Sequence, residues 1–222
     1  MHPFLAKYLS YFREIPVATA HSALSGRLEV SWSDGRKVLH SNESNYSFGG
    51  LHRVLRQAMK HAAVRQHPPA RVLVLGLGAG SAVHILHLEW KLPCMITGIE
   101  KDPVVLELAR QFFALQEGPQ LKIIQDDAAT FMNHCQEGYD LVLVDLFIGR
   151  HVPEAFSGPV FWDDLQKCCQ KGGKVIFNIL VFDQPSHAQA ERIQNLAAQR
   201  FSSTECLSIP GIWENKVIIA AK

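Results

Sequence analysis

An excess of charge of either sign is missing from this chain: 22 Lys and Arg stand against 21 Asp and Glu, a formal +1. No field of that size gathers nucleic acid or an anionic lipid surface, so neither is an expected partner. Long apolar runs are missing too, and no segment has the length and uniformity of a membrane span. The opening residues, MHPFLAKYLSYFREIP, lack the charged start, apolar middle and small-residue cleavage site of a secretory leader. They read instead as a short amphipathic helix with Phe4, Leu5, Tyr8, Leu9 and Phe12 on one face. The five cysteines contain no CxxC pair, and five is an odd number. Cys94, Cys135, Cys168, Cys169 and Cys206 therefore suit free thiols in a reducing, cytoplasmic setting. The adjacent Cys168 and Cys169 are expected on different faces of one helix, and no metal site is expected.

What is present is the composition of a soluble globular domain, 47% apolar and 19% charged over 222 residues. Its most informative stretch is Arg71–Ser81, RVLVLGLGAGS. An apolar strand runs into Gly76, Gly78 and Gly80, and a helical pattern follows from Ser81. A strand end beneath a helix start is where α/β proteins hold nucleotide-like ligands, and glycines let the ligand lie on bare backbone.

The rest of the chain divides into two regimes. Residues 1–66 hold the N-terminal helix, a two-stranded ribbon over Leu24–Ser41 and a helix over Leu51–Ala63. Asp34-Gly35 is the ribbon's turn, since both residues there must accept positive φ. Residues 67–222 alternate strands and helices. Strands are expected at Met95–Glu100, Leu121–Gln125, Tyr139–Asp145, Lys174–Leu180, Thr204–Ile209 and Lys216–Ala220. Helices are expected from Pro103, from Ala128, around Phe161–Gln170 and over residues 187–200. This order predicts an α/β fold with a mostly parallel, helix-covered sheet, its two closing strands antiparallel to each other.

The glycine spacing selects the ligand. A dinucleotide fingerprint requires Gly or Ala at the sixth position, which here is Ser81. The tighter G-x-G-x-G suits a ligand without pyrophosphate, such as S-adenosylmethionine. Three acids follow, each at the end of a strand. Glu100 can accept both hydroxyls of a ribose lying across the turn, or be a solvated charge. Asp127, with Ala128, can meet an adenine amino group, or cap the helix that follows. Asp145 closes the apolar run YDLVLV, where a lone carboxylate is costly unless paired or used. Asp102, in Asp-Pro before a helix, reads as an N-cap.

These residues resemble the spermidine synthase-like family within the class I S-adenosylmethionine-dependent methyltransferases. The likeness runs through GRLEVSWSDGRKVLHS, NYSFGGLHRVL, RVLVLGLGAGS, GIEKDP, QDDAATF and YDLVLVDLF, about residues 24–222. It implies a Rossmann-like, seven-stranded sheet with an antiparallel last strand behind an N-terminal β-hairpin. It also implies S-adenosylmethionine or its decarboxylated form as cofactor, and often a homodimer. Asn45, Tyr46 and Ser47 would cover the cofactor, and Asp145 would match the family's first loop aspartate, the catalytic base.

The departures favour methyl transfer over polyamine synthesis. The first turn reads GLGAG rather than GGGDG. The loop Asp145-Leu146-Phe147-Ile148 lacks the family's second acid, and a polycation needs several carboxylates to offset its desolvation. Leu146, Phe147, Ile148, Pro153 and Phe156 suggest an apolar wall for a small neutral or aromatic acceptor. Aminopropyl transfer is the alternative, with a non-catalytic member and a nicotinamide dehydrogenase behind it. Arg150 is the alternative partner for Asp145, and His151 a second base. His84 and His87 share a face at i and i+3 but show no third ligand, and read as surface residues.

Overall fold

The computed structural model describes residues 3–41, 45–211 and 213–222. An N-terminal helix α1 (Pro3–Leu9) precedes a four-stranded antiparallel sheet, β1 (Ile15–Ser22), β2 (Gly26–Ser33), β3 (Arg36–Ser41) and β4 (Asn45–Ser47), paired in that order. Helix α2 (Gly49–His61) leads into β5 (Arg71–Leu75). Next come α3 (Ser81–Val83), continued as a π-helix over His84–Glu89, then β6 (Met95–Glu100), α4 (Pro103–Phe113), β7 (Leu121–Gln125), α5 (Ala128–His134) and β8 (Tyr139–Val144). Helix α6 (Pro159–Cys168), β9 (Cys169–Val181), α7 (Gln184–Arg200), β10 (Ser203–Ile209) and β11 (Glu214–Ala221) complete the chain.

The main sheet has seven strands in the order β10-β11-β9-β8-β5-β6-β7. Strands β7, β6, β5, β8 and β9 pair in parallel, and β11 inserts antiparallel between β9 and β10. The expected architecture is present. From β5 the chain steps outward to β6 and β7, then returns to β8 on β5's other side. The strand order therefore reverses beside β5, the position at which open α/β sheets form a ligand crevice.

Each sheet face buries its own core. Val72 and Val74 of β5 point into a cluster with Val54, Leu55, Ala58 and Met59 of α2, Leu106 and Ala109 of α4, and Leu28, Val30 and Leu39 of the small sheet. Leu73 and Leu75, one position over, face Met132 of α5, Trp162 and Leu165 of α6 and Ile193 of α7. This period-two division along a continuously apolar strand is what coverage on both faces requires.

Several local expectations need correction. The ribbon is one part of a four-stranded sheet, because β1 and β4 add an edge on each side. Its turn is as expected, with Asp34 at φ 49° and Gly35 at φ 74°. The helix α1 does not bury the anticipated face: Leu5, Tyr8 and Phe12 are exposed, while Ala6 and Ser10 are buried. Ser10 explains the rotation, because its carbonyl accepts from the Asp34 amide and its hydroxyl from the Gly35 amide, seating the helix end on the hairpin turn. The Phe4 side chain lies outside the described residues. Cys168 ends α6 and Cys169 begins β9, so they do not share a helix. Cys168 Sγ instead lies 3.3 Å from Cys135 Sγ.

Candidate functional site

Strand β5 ends at Leu75, and the chain turns at once. The amides of Gly76 and Leu77 both donate to the Ile99 carbonyl, at 3.0 and 2.9 Å, which lashes the turn to the end of β6. Gly76 has φ +84°, and a Cβ there would sit 2.1 Å from the Asp145 carbonyl oxygen. Gly78 has φ +56°, and a Cβ there would press on Ser47 and the Tyr46 carbonyl. Gly76 admits no side chain by conformation or by space, and Gly78 is kept bare by its positive φ.

The turn is fixed from below by a carboxylate. Glu100, buried at the end of β6, accepts from the Gly78 amide at 2.9 Å through Oε2 and from the Asp102 amide at 3.0 Å through Oε1. Burial pushes its pKa upward; the amides of Asp102, Gly78 and Lys101 oppose that shift, and the charge of Asp102 adds to it. A carboxylate offers about four acceptor sites, so capacity for a further donor remains. From above, Ser47 Oγ accepts from the Ala79 amide at 3.1 Å and lies 3.0 Å from Ser81 Oγ, which accepts from the Phe48 amide at 2.7 Å. The small sheet is thus stapled onto the glycine turn.

A cleft of about 1380 Å³ opens over these strand ends. Gly76, Gly78, Glu100, Asp127, Ala128 and Asp145 all line it, as do Tyr46, Leu146, Phe147, Ile148, Pro153 and Phe156. Gly80 does not line it; at φ +91° it passes beneath Leu115 at the start of α3. The Asn45 side chain lies outside the described residues. Tyr46 has a phenol pushed well above its usual pKa, by burial first and then by the charge of Glu100, so it stays protonated.

Asp145 follows β8, its amide held by the Leu75 carbonyl at 2.9 Å. Burial pushes its pKa up to about 7; a hydrogen bond from Asn178 opposes the shift and Glu100 adds to it. That bond, Asn178 Nδ2 to Asp145 Oδ1 at 2.9 Å, involves a residue sequence reasoning missed. Asn178 is buried in β9 and its Oδ1 has no hydrogen-bond partner in the structure. The available signal was one amide inside the apolar run KVIFNILV.

Asp127 and Asp102 both cap helices. Asp127 accepts from the Ala129 and Thr130 amides and from Lys101 Nζ at 3.0 Å; burial is outweighed by these donors and its pKa falls. Asp102 accepts from the Val104 amide, and the hydroxyls of Ser22 and Ser25 donate to its Oδ2. Arg150 does not pair with Asp145: its guanidinium lies 4.8 Å from the Phe182 ring centre and 5.2 Å from that of Trp213. His151 packs edge-on against Phe182 and lines a separate groove of about 450 Å³ with Glu154, Gln189 and Arg192. His84 is brought to His52 and Glu89, companions its sequence spacing did not suggest.

Residues 53–209 match the spermine/spermidine synthase domain. The chain belongs to that family. Among the relatives of this spermine/spermidine synthase domain is the eEF1A lysine and N-terminal methyltransferase homolog of Drosophila melanogaster, 28% identical over 170 residues, covering 70% of this chain and 25% of the relative. The chain spans no more than about half the length of the first curated relatives it matches. Its fold is that of a probable spermidine synthase from Corynebacterium glutamicum, with TM-score 0.77, 17% identity and coverage of 92% of this chain and 80% of the other. It is also that of human methyltransferase-like protein 13 in complex with SAH, with TM-score 0.64, 20% identity and coverage of 78% and 82%. The fold of this domain is thus the Rossmann-like one that methyltransferases and spermidine synthases share.

Proposed function

We propose that this domain is an S-adenosylmethionine-dependent methyltransferase acting on an amine. The observation that carries the reading is the bare turn of Gly76 and Gly78, held from below by Glu100 and ending against Asp145. The donor set fits an S-adenosyl nucleoside. Gly76 and Gly78, whose Cβ space is taken by Asp145 and by Ser47 and Tyr46, bring a turn of bare backbone to the wall of the cleft, and Glu100 there keeps acceptor capacity for a ribose hydroxyl. Ala128 and the backbone beside Asp127 stand where an adenine edge would lie. S-adenosylmethionine supplies an activated methyl group and a neutral sulfide to leave behind.

The residues of the chain then have two tasks. One is to hold the acceptor nitrogen in line at about 3–3.5 Å, which supplies much of the rate. The other is to take its proton. Asp145 suits the second task, because its pKa of about 7 lets it accept a proton at neutral pH while its position is fixed by Asn178. The Drosophila relative is named for methylation of lysine and an N-terminus, and the Corynebacterium neighbour is named a spermidine synthase, so an amine nucleophile is the chemistry their names share. Leu146, Phe147 and Ile148, where polyamine synthesis would want acid, favour methyl over aminopropyl transfer and an acceptor with a long apolar portion.

A thermal-shift panel tests the reading. S-adenosylmethionine and S-adenosylhomocysteine at about 100 times their dissociation constants should each add about 2.7 kcal/mol. NAD should add nothing. At equal ligand concentrations, a larger shift from decarboxylated S-adenosylmethionine than from S-adenosylmethionine would transfer the assignment to aminopropyl chemistry. Binding without turnover of any amine would leave a ligand-binding member of the family.

A further inference from the structure

Apart from the cleft chemistry, the helix after the glycine turn carries an unusual backbone. His84–Glu89 is a π-helix, with the Trp90 amide reaching back to the Ile85 carbonyl at 2.9 Å. Five residues in an α-helix leave two side chains about 140° apart. The wider π turn, closed by i→i+5 hydrogen bonds, takes more residues than an α turn, so residues five apart come round to nearly the same face. Here it carries His84 and Glu89 to the same side, opposite His52 of α2. His52 Nε2 lies 2.8 Å from Glu89 Oε1, and His84 Nδ1 lies 3.6 Å from the same oxygen. The three donor atoms fall within 4.8 Å of one another.

The hydrogen bonding of this group is incomplete. His84 Nδ1 is a buried atom with no partner, and 3.6 Å is too long for a hydrogen bond to Glu89. Burying an unpaired polar atom is costly. One divalent cation among the three donor atoms would give His84 Nδ1 its partner; His52 Nδ1, the other buried ring nitrogen without a partner, would then carry that ring's proton. Donor atoms around a tetrahedral Zn²⁺, at about 2.0–2.2 Å from the metal, lie about 3.3–3.6 Å apart. The 2.8 Å and 3.6 Å separations to Glu89 bracket that spacing, and the two imidazole nitrogens, within 4.8 Å of each other, would close on the ion by side-chain rotation. Phe48 packs parallel to the His52 ring and edge-on to that of His84, which fixes both imidazoles. The second oxygen of Glu89 lies 3.8 Å from Arg56. The side chain of His84 is 38% exposed, which gives an ion a route in.

We infer that His52, His84 and Glu89 form a binding site for a divalent transition-metal ion of the Zn²⁺ class, with a fourth position left for water. Two imidazoles and one carboxylate are a donor set that suits Zn²⁺ over Mg²⁺ or Ca²⁺. The ion would clamp α2 to the helix that leaves the glycine turn. His52 and Phe48, whose amide donates to Ser81, also line the large cleft, so the clamp would brace that wall.

The test uses the full chain stripped with a chelator. Titration with Zn²⁺ should show one equivalent bound and, at about 100 times the dissociation constant, a Tm rise of about 5–10 °C. Co²⁺ should give the visible absorption of a four-coordinate ion. His84→Gln, at a partly exposed position, and Glu89→Gln should each weaken Zn²⁺ binding at least about tenfold and abolish the Co²⁺ band. Circular dichroism of the stripped variants checks that they fold. No uptake by the parent chain at about 100 μM Zn²⁺ would overturn the proposal. So would undiminished binding by the folded His84→Gln chain, which would place the ion elsewhere. Mg²⁺ and Ca²⁺ should leave Tm unchanged.

Discussion

Asp145 sits where three influences meet: burial, the amide of Asn178 and the charge of Glu100, with burial the largest. Two consequences follow. If Asp145 is the base, the rate of amine methylation should rise with pH through about 7, and Asp145→Asn should flatten that profile and cut kcat at least about a hundredfold. Replacing Asn178 by Leu removes the donor that opposes the shift, so the midpoint should move to higher pH. The second consequence concerns stability. The folded carboxyl titrates above its ordinary value of 3.8, so the folded protein retains a proton that the unfolded chain has lost over the window from 3.8 to about 7. The stability associated with that proton is present below the window and is lost as pH rises through it. Asp145→Asn should therefore raise Tm at pH 8 and leave it nearly unchanged at pH 3.5. An equal shift at both values would show that burial of the charge is not the cause. Gly76 gives a plainer expectation. Gly76→Ala combines a positive φ with a contact against the Asp145 backbone, and should cost about 3 kcal/mol or more in urea unfolding.

At the scale of elements, the junction between β6 and α4 concentrates several functions in few residues. Asp102 caps α4 and also anchors Ser22 at the end of β1 and Ser25 in the following turn. Asp102→Ala should therefore cost about 2–4 kcal/mol, more than a simple cap, because two hydroxyls lose their acceptor along with the helix amide. Unfolding of Ser22→Ala should show a smaller part of the same loss. This junction also shows what sequence could convey. Asp-Pro before a helical pattern marks the cap outright, but nothing local announces that distant serines share it. Strand β1 was hidden for a similar reason. Its sequence, IPVATAHS, buries only its two end residues, and it is held by pairing with β2 and by packing of Ala18 and Ala20. The parallel strands were legible because burial on both faces demands unbroken apolar runs. Glu100, Asp127 and Asp145 were legible as strand-end acids, whereas Asn178 and the grouping of His52, His84 and Glu89 depend on tertiary approach. The π-helix defeats sequence spacing directly, since an i, i+5 pair reads as opposite faces of an α-helix.

For the molecule as a whole, the small sheet and the main sheet behave as one frame around the cleft. Ser47, Ser81 and the Phe48 and Ala79 amides cross between them. A nucleoside ligand bound on Gly76 and Gly78 should thus slow amide exchange in β4 and at Phe48 as well as in the turn. Hydrogen exchange with and without S-adenosylhomocysteine would check this. Protection confined to residues 76–80 would mean that the two sheets respond separately. The Cys135 and Cys168 pair lies on the opposite core face, and the hydrogen bond from Cys168 lowers the Cys135 thiol to about 7.

The antiparallel insertion of β11 has a bearing on how such a chain is made. Strand β10 leaves the ribosome before β11, yet it can join the sheet only by way of β11, the one of the two that pairs with β9. Until that late segment is synthesised, the apolar flank of β9 stays open and β10 has no neighbour to pair with. A nascent chain arrested after Ile209 should therefore be captured by chaperones or precipitate, while release of a dozen further residues allows closure.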